Sequence, residues 1–247
     1  MTARVSGLWR FPIKSHGREQ LDRTDLRQGE CLPWDRAWAV AHEKSQATNE
    51  EWSRCAAFTR VTSAPALAVI TAALDEATAT VTLHHPDLPD LTFRPDDGAE
   101  AFLDWVTPLM PEGRAMPARI VRVPGRGMTD AAFPSITLCN TASHAAVEER
   151  IGKPLSIHRW RGNIWIDGPA PWEEFDWVGR FVRIGGAVLR VVEPTGRCMA
   201  TAANPETGVR DADTLGTLKT FGHRDFSVQT EVVESGPVAV GDKVEVL

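Results

Sequence analysis

Glu193-Pro194-Thr195-Gly196-Arg197-Cys198-Met199-Ala200-Thr201-Ala202-Ala203-Asn204-Pro205-Glu206-Thr207-Gly208 is the stretch around which the rest of this chain is organised. Just before it, Phe181 to Val192 reads as a hairpin of buried strands with Gly185-Gly186 at the turn, so Cys198 leaves a rigid strand and enters a loop. A thiol in that position is held in place yet reachable. Arg197, its neighbour, favours the thiolate, the form that binds metals and attacks electrophiles. Asn204-Pro205 and Thr207-Gly208 are turn formers that can fold the chain back over the cysteine. Residue type alone leaves a second reading open, a small buried cysteine beside a surface arginine.

Upstream of the hairpin, Ile157-His158-Arg159-Trp160-Arg161-Gly162-Asn163 is the most basic local patch and runs into a strand ending at Asp167-Gly168, with Arg161 and Asn163 directed to one face. Pro171 to Trp177 reads as a short helix. Ser135 to Cys139 reads as a strand, followed by Asn140-Thr141-Ala142-Ser143 and a helix that runs to Ile151 and stops at Gly152. Asn140, Thr141 and Ser143 at a helix N-terminus suit a phosphate, and ordinary capping accounts for the same residues. Pro124-Gly125-Arg126-Gly127 is the best hinge, dividing the chain into units 1–124 and 125–247.

In the first unit, Val5 to Phe11 reads as a strand that delivers Pro12-Ile13-Lys14-Ser15 to its end. Lys14 as a point charge and Ser15 as a hydroxyl donor can hold a phosphate, or Lys14 can simply be solvated. Leu32 to Ala41 reads as a turn entering a strand, with Arg36, Trp38 and Val40 on one face. A partner for Arg36 could be Asp22, Asp25 or an anionic ligand. Further strands are expected at Leu67 to Thr71, Ala77 to Leu83 and around Leu91 to Phe93. Gly98 to Leu109 carries Phe102, Trp105, Val106 and Leu109 at helical spacing, with Asp96 or Asp97 as a cap. Ala118 to Val123, Phe226 to Glu234 and Val238 to Leu247 complete the strands, so the class is mainly β (α+β) with a few short helices.

The 247 residues, 43% of them hydrophobic, suffice for one large domain or two small ones. A net charge of −6, from 27 basic and 33 acidic residues, argues against nucleic acid or an anionic membrane as partner, so any anion site is local. Arginine far outnumbers lysine. Cys31, Cys55, Cys139 and Cys198 are widely spaced and imply no zinc or iron–sulfur cluster. Without a signal-peptide core or a membrane-length apolar run, a reducing cytoplasm is the expected location.

The run Arg197-Cys198-x-x-Thr201-x-x-Asn204-Pro205-x-Thr207-Gly208, continued by Thr214-Leu215-Gly216-Thr217-Leu218-Lys219, resembles the MOSC family, named for the C-terminal domain of molybdenum cofactor sulfurase. Three further segments are similar to its amidoxime-reducing branch: Phe11-Pro12-Ile13-Lys14-Ser15, Trp34-Asp35-Arg36-Ala37-Trp38, and Arg161-Gly162-Asn163-Ile164, where the family has Arg-Pro-Asn-Ile/Leu. The resemblance implies a β-barrel MOSC domain packed on an N-terminal β-barrel module. It further implies molybdenum cofactor (molybdopterin) between the two, with Cys198 as metal ligand and catalytic centre. Lys14, Ser15, Arg36 and Arg161 would contact phosphate and pterin, aided by Asn140, Thr141 and Ser143. Asn163 would belong to the same site, Arg197 would tune the thiolate, and Thr201 would hydrogen-bond behind it.

The implied activity is two-electron reduction of small N-hydroxylated compounds such as amidoximes and hydroxylamines. Electrons would come from a separate protein, a flavin reductase working with a haem or iron–sulfur carrier. Two features depart from the family. Asn204 stands where many relatives have aspartate, removing a negative charge beside the loop, and Glu51 to Phe58 replaces the branch's Thr-Ala-Arg-Gln segment. A carrier of molybdenum cofactor or of sulfur on Cys198 is the alternative from another class. A cysteine hydrolase would need His223 or His158 as base.

Overall fold

The computed structural model describes residues 3–247. In chain order its elements are β1 (Arg4–Arg10), β2 (Glu19–Leu21), β3 (Arg23–Leu26), β4 (Ala39–His42), β5 (Thr71–Asp75), β6 (Thr80–His85), β7 (Leu88–Phe93), α1 (Ala99–Val106) and β8 (Pro117–Val121). The second half contains β9 (Ile136–Asn140), α2 (Thr141–Ile151), β10 (Ile164–Asp167), β11 (Phe181–Ile184), β12 (Ala187–Gly196), α3 (Thr214–Thr220), β13 (Asp225–Glu234), β14 (Gly236–Ala239) and β15 (Val244–Val246). The protein is mainly β, as its apolar alternation implies.

An eight-stranded sheet in the order β15-β11-β12-β13-β9-β10-β1-β2 dominates, beside a three-stranded sheet β5-β6-β7 and the pairs β4-β8 and β14-β3. Among the described residues none of these sheets closes into a ring. Pairing is antiparallel except between β9 and β10, whose connection passes through α2. The first strand therefore belongs to the sheet of the second half: β1 lies between β10 and β2, with Arg4 opposite Asp167 and Leu8 opposite Ile164. Strand β3 likewise pairs with β14. Hydrogen bonds thus cross the expected 124/125 hinge, and Phe11 to Ser15 emerges from β1 where the two halves meet.

Two large apolar cores follow from this arrangement. One lies against the eight-stranded sheet and mixes Val5, Leu8, Leu26 and Leu32 with Ile136, Leu138, Ile164, Val182 and Val228. The other belongs to the first half, with Ile13, Trp38, Val40, Leu67, Val81, Phe102 and Trp105, and takes in Ala203 from beyond Cys198. Helix α1 contributes Phe102, Trp105 and Val106, as its spacing requires, but starts at Gly98 without a side-chain cap. Asp96 instead accepts from Trp38 Nε1 at 2.7 Å and pairs with Arg122. Helix α2 stops at Gly152, whose φ of 81° favours glycine. Helix α3 was not foreseen. It begins at Asp213, whose Oδ1 accepts from Gly216 N at 2.8 Å.

Gly162 marks an adjustment specific to this sequence. A Cβ there would run into Cys139 Sγ, so the sulfur of Cys139 fills the space that a larger residue after Arg161 would need. Cys139 is fully buried, and burial pushes its thiol up to about 12, which makes it packing and not chemistry. Gly162→Ala is expected to cost about 1–3 kcal/mol from overpacking. Gly162→Ala combined with Cys139→Ala should recover most of that loss in denaturant unfolding, and equal losses in the single and double variants would contradict the reading.

Candidate functional site

Strand β12 runs along β13 with register shifts between Val188/Leu189, Val191/Glu193 and Pro194/Gly196. Each bulge bends the strand and increases its twist, and the last falls just before Cys198. A short 3-10 helix, Met199–Ala202, begins immediately after it. Cys198 is thus presented at a bent strand end and is exposed. Thr201 Oγ1 donates to the Cys198 carbonyl at 3.0 Å and shares a hydrogen bond with Thr214 Oγ1 at 2.6 Å, fixing the turn that carries the thiol.

The thiol opens on a cleft lined from both halves by Lys14, Ser15, Arg36, Arg60, Thr62, Asp130, Arg159, Arg161, Arg197, Thr201 and Gln229. Its volume is about 130 Å³. Lys14, Ser15, Arg36, Arg161, Arg197, Thr201 and Cys198, far apart in sequence, therefore come together. Three of them are held in left-handed backbone, Ser15 (φ 67°), Arg36 (φ 52°) and Arg161 (φ 50°). Such residues cost of order 1–3 kcal/mol each and cluster where geometry serves a site. Arg36 is accordingly not on a regular strand face with Trp38 and Val40, because β4 begins only at Ala39. Its partner is neither Asp22 nor Asp25 but the adjacent, buried Asp35, and its Nη2 donates to the Arg161 carbonyl at 2.9 Å. Both guanidinium groups stack on Phe11, Arg161 at 4.4 Å and Arg36 at 4.8 Å from the ring centre.

The electrostatics are dominated by buried cations. Burial, and then the neighbouring Arg36, pulls Arg161 down to about 9. Burial lowers Arg197, which donates to the carbonyls of Trp160 and Phe226 and to Ser227 Oγ. Burial lowers Lys14 as well, against the pull of Asp130 at 2.5 Å, whose side chain is 70% exposed at the cleft mouth. Asp130 itself is lowered: Lys14, Arg36 and Arg197 together outweigh its desolvation. Among the described residues, the buried side-chain atoms without a hydrogen-bond partner include Arg60 Nε, Arg159 Nε, Arg161 Nη2 and Gln229 Oε1, all on residues of this cleft. Buried polar atoms are almost always paired, so this clustering marks unfilled binding capacity.

Asn140, Thr141, Ser143 and Asn163 lie elsewhere. Asn140 caps α2 and donates to Glu174 Oε2 at 2.9 Å, while Ser143 Oγ donates to the same carboxylate. A buried glutamate, its carboxyl raised by burial, thus already occupies the donors at this helix start. Thr141 Oγ1 donates to Asp167. Asn163 accepts from Thr137 N at 3.1 Å and donates to the Trp9 carbonyl at 3.2 Å, tying β1 to β10 and β9. Conversely, Arg60, Thr62 and Gln229 join the cleft without any local motif to mark them. Thr62 Oγ1 lies 3.3 Å from Cys198 Sγ, and its carbonyl accepts from Arg210 Nη2 at 2.6 Å. The Asn204 to Gly208 turn is seated on the first half, with Arg18 donating to Pro205 O at 3.4 Å. Gly208 (φ 69°) approaches so closely that an added Cβ would lie 2.9 Å from Ala66 Cα.

Neither histidine of the hydrolase reading partners Cys198. His158 stacks edge-on against Trp9 at 4.2 Å, and His223 packs on Trp172 and Phe175. A second hollow of about 720 Å³ lies behind Asp35, lined by Arg10, Arg23, Arg27, Glu76 and Arg126. Although larger, it holds no unpartnered buried polar atom among the described residues. Arg10 there is paired with Glu19 and Glu76, and Arg126 is bonded to three carbonyls, so the Cys198 cleft is the stronger site.

Residues 131–245 match the MOSC domain, and residues 2–106 match the MOSC N-terminal beta barrel domain. With both halves matched, the chain belongs to the MOSC-domain proteins that carry this N-terminal module. It is 35% identical over 104 residues to mitochondrial amidoxime-reducing component 1 of Xenopus laevis and 30% identical over 118 residues to that of Danio rerio. These alignments cover 42% and 44% of this chain but only 29% and 36% of the relatives, so the chain spans about a third of their length. The fold is similar to that of the YuaD protein from Bacillus subtilis, with TM-score 0.50 and 14% identity over 100% of this chain and 96% of that one. The relatives are named as mitochondrial, so the cytoplasmic expectation gains no support from them. No helix among the described residues is long and apolar enough to cross a membrane.

His16, next to Ser15, is fully buried with Nε2 unpartnered, and burial, then the charge of Arg161, brings it down to about 4. The unfolded chain therefore takes up a proton near pH 6.5 that the folded one refuses. Stability is intact above that pH and falls towards pH 4, by on the order of 3 kcal/mol for this group. In unfolding measured between pH 7 and 4, His16→Asn should flatten the slope by about that amount, and an unchanged slope would contradict the assignment.

Proposed function

We propose that the protein is a molybdenum-cofactor-dependent reductase of small N-hydroxylated compounds, with Cys198 as the ligand of the metal. The observation that carries this reading is the grouping of unpartnered buried polar atoms around the cleft that Cys198 enters. Molybdopterin fits such a lining: its phosphate matches buried cations, its ring edge offers donors and acceptors to Arg161 Nη2 and Gln229 Oε1, and its metal accepts a thiolate. Lys14, Ser15, Arg36 and Arg161 would hold the anionic end. A cleft of about 130 Å³ is smaller than the whole cofactor, so the cofactor would extend into the open mouth beside Cys198 and Asp130.

When bound, the cofactor would supply two-electron reduction at the N–O bond, the oxygen leaving as water. The chain's own part is positional and electrostatic. Arg197, fixed by three acceptors, keeps a positive charge beside the Cys198 thiolate, and Thr201 and Thr214 hold the turn rigid. Lys14 is ion-paired with Asp130 and Arg36 with Asp35, which fixes both side chains at the cleft before any ligand arrives. Electrons would come from a separate flavin reductase with a haem or iron–sulfur carrier, a reading supported by the relatives' being named components.

Metal analysis with pterin fluorescence, on protein made in a cofactor-competent host, tests this directly. Wild type should carry molybdenum and Cys198→Ala should lose most of it, while equal molybdenum in both would remove Cys198 as ligand. Arg161→Gln should weaken cofactor retention about 10- to 100-fold, the loss of a charge-assisted hydrogen bond. Given a chemical reductant, the loaded wild type should convert benzamidoxime to benzamidine. Cofactor transfer to an apo-enzyme without such turnover would favour the carrier alternative.

A further inference from the structure

Arg60 is a half-buried cation of this cleft that pairs with no carboxylate among the described residues. Its backbone carbonyl accepts from Ser63 N, Ala64 N and Ser63 Oγ, and the next residue, Val61, is buried in the core of the first half. The turn is therefore rigid. Nη1 has only the sulfur of Cys55, at 3.4 Å, and Nε is buried without a partner. A thiol is a weak acceptor, and no carboxylate among the described residues lies within ion-pair distance of Arg60. By contrast, Arg36 has Asp35 and Arg159 has Asp211. Arg60 is half-buried, so its fork faces the cleft with one buried N–H and no counter-charge of its own, an arrangement that a carboxylate entering the cleft would complete.

The position of Arg60 separates it from the other unpaired arginine. Arg161 stacks with Arg36 on Phe11, next to Lys14 and Ser15, where the cofactor's anionic end is assigned above. Arg60 comes instead from the turn that carries Thr62, whose hydroxyl touches the Cys198 sulfur, with Arg210 holding the Thr62 carbonyl. A molecule brought to the reactive end of the cleft lies against this turn. We propose that Arg60 is a substrate-binding residue and that the N-hydroxylated substrates of this protein carry a carboxylate, which takes the guanidinium fork in place of the Cys55 sulfur.

This inference rests on the reductase reading, and the test keeps the two apart. Benzamidoxime and 4-carboxybenzamidoxime form a neutral and an anionic pair of equal reactive chemistry. In the cofactor-loaded wild type, kcat/KM should favour the carboxylate at least tenfold. Arg60→Gln should lower kcat/KM for the carboxylate about 10- to 100-fold, leave the neutral compound within about threefold, and retain molybdenum and pterin. Arg60→Lys, which keeps the charge without the fork, should lie between them. Binding of 4-carboxybenzamide and benzamide to the loaded protein, measured by calorimetry without turnover, should show the same preference and the same loss. Equal treatment of the pair by wild type, in rate or in binding, would overturn the proposal. So would an Arg60→Gln protein that has lost molybdenum and pterin, since Arg60 would then hold the cofactor. Selective binding through Arg60 with no reduction of either compound would instead end the reductase reading and leave the anion site standing.

Discussion

The structure depends on burying cations at a seam between two β-rich halves. Removing a guanidinium or ammonium from water costs several kcal/mol unless acceptors replace the lost hydration. Here Arg197 is compensated by carbonyls and Ser227, Lys14 by Asp130 and the Met128 carbonyl, Arg36 by Asp35 and the Arg161 carbonyl, and Arg161 and the half-buried Arg60 hardly at all. Three cleft residues also sit in left-handed backbone. A fold selected for stability alone would have paired or removed these groups, so their persistence is the physical argument for an anionic ligand.

The scaffold bears this cost by interlocking its halves. Strand β1 belongs to the eight-stranded sheet, yet two of the residues just beyond it, Lys14 and Ser15, line the cleft. Lys14 N donates to Trp38 O and Arg36 N to Phe11 O, so the two cationic turns brace each other. From the other side, Ala203 enters the core of the first half, and the loop after it reaches back through Arg210 to the Thr62 carbonyl. Apolar burial on both sides of the seam offsets the strain inside it.

What the sequence disclosed follows the range of the interactions concerned. Local patterns sufficed for the hairpin around Gly185-Gly186, for the apolar face of α1 and for the end of α2 at Gly152. Cys198 at a strand exit, with Thr201 behind it, was legible because both belong to one turn. Sequence leaves Asn140 and Ser143 open between helix capping and a phosphate contact, because their partner, Glu174, lies some thirty residues away and is brought to them only by the fold. The bonds of Asn163 to Trp9 and Thr137 are equally beyond local reading, since they run across the sheet. Arg60, Thr62 and Gln229 carry no local signature. Helix α3 has no clear sequence signal because its threonines and glycine mask a capped turn.

Anomalous scattering at the molybdenum edge, from crystals of the cofactor-loaded protein, tests the central claim most directly. The account requires one peak within bonding distance of Cys198 Sγ, with the ligand's phosphate among Lys14, Arg36 and Arg161. A peak in the larger hollow beside Arg126, or a cofactor whose phosphate avoids those three cations, would contradict it.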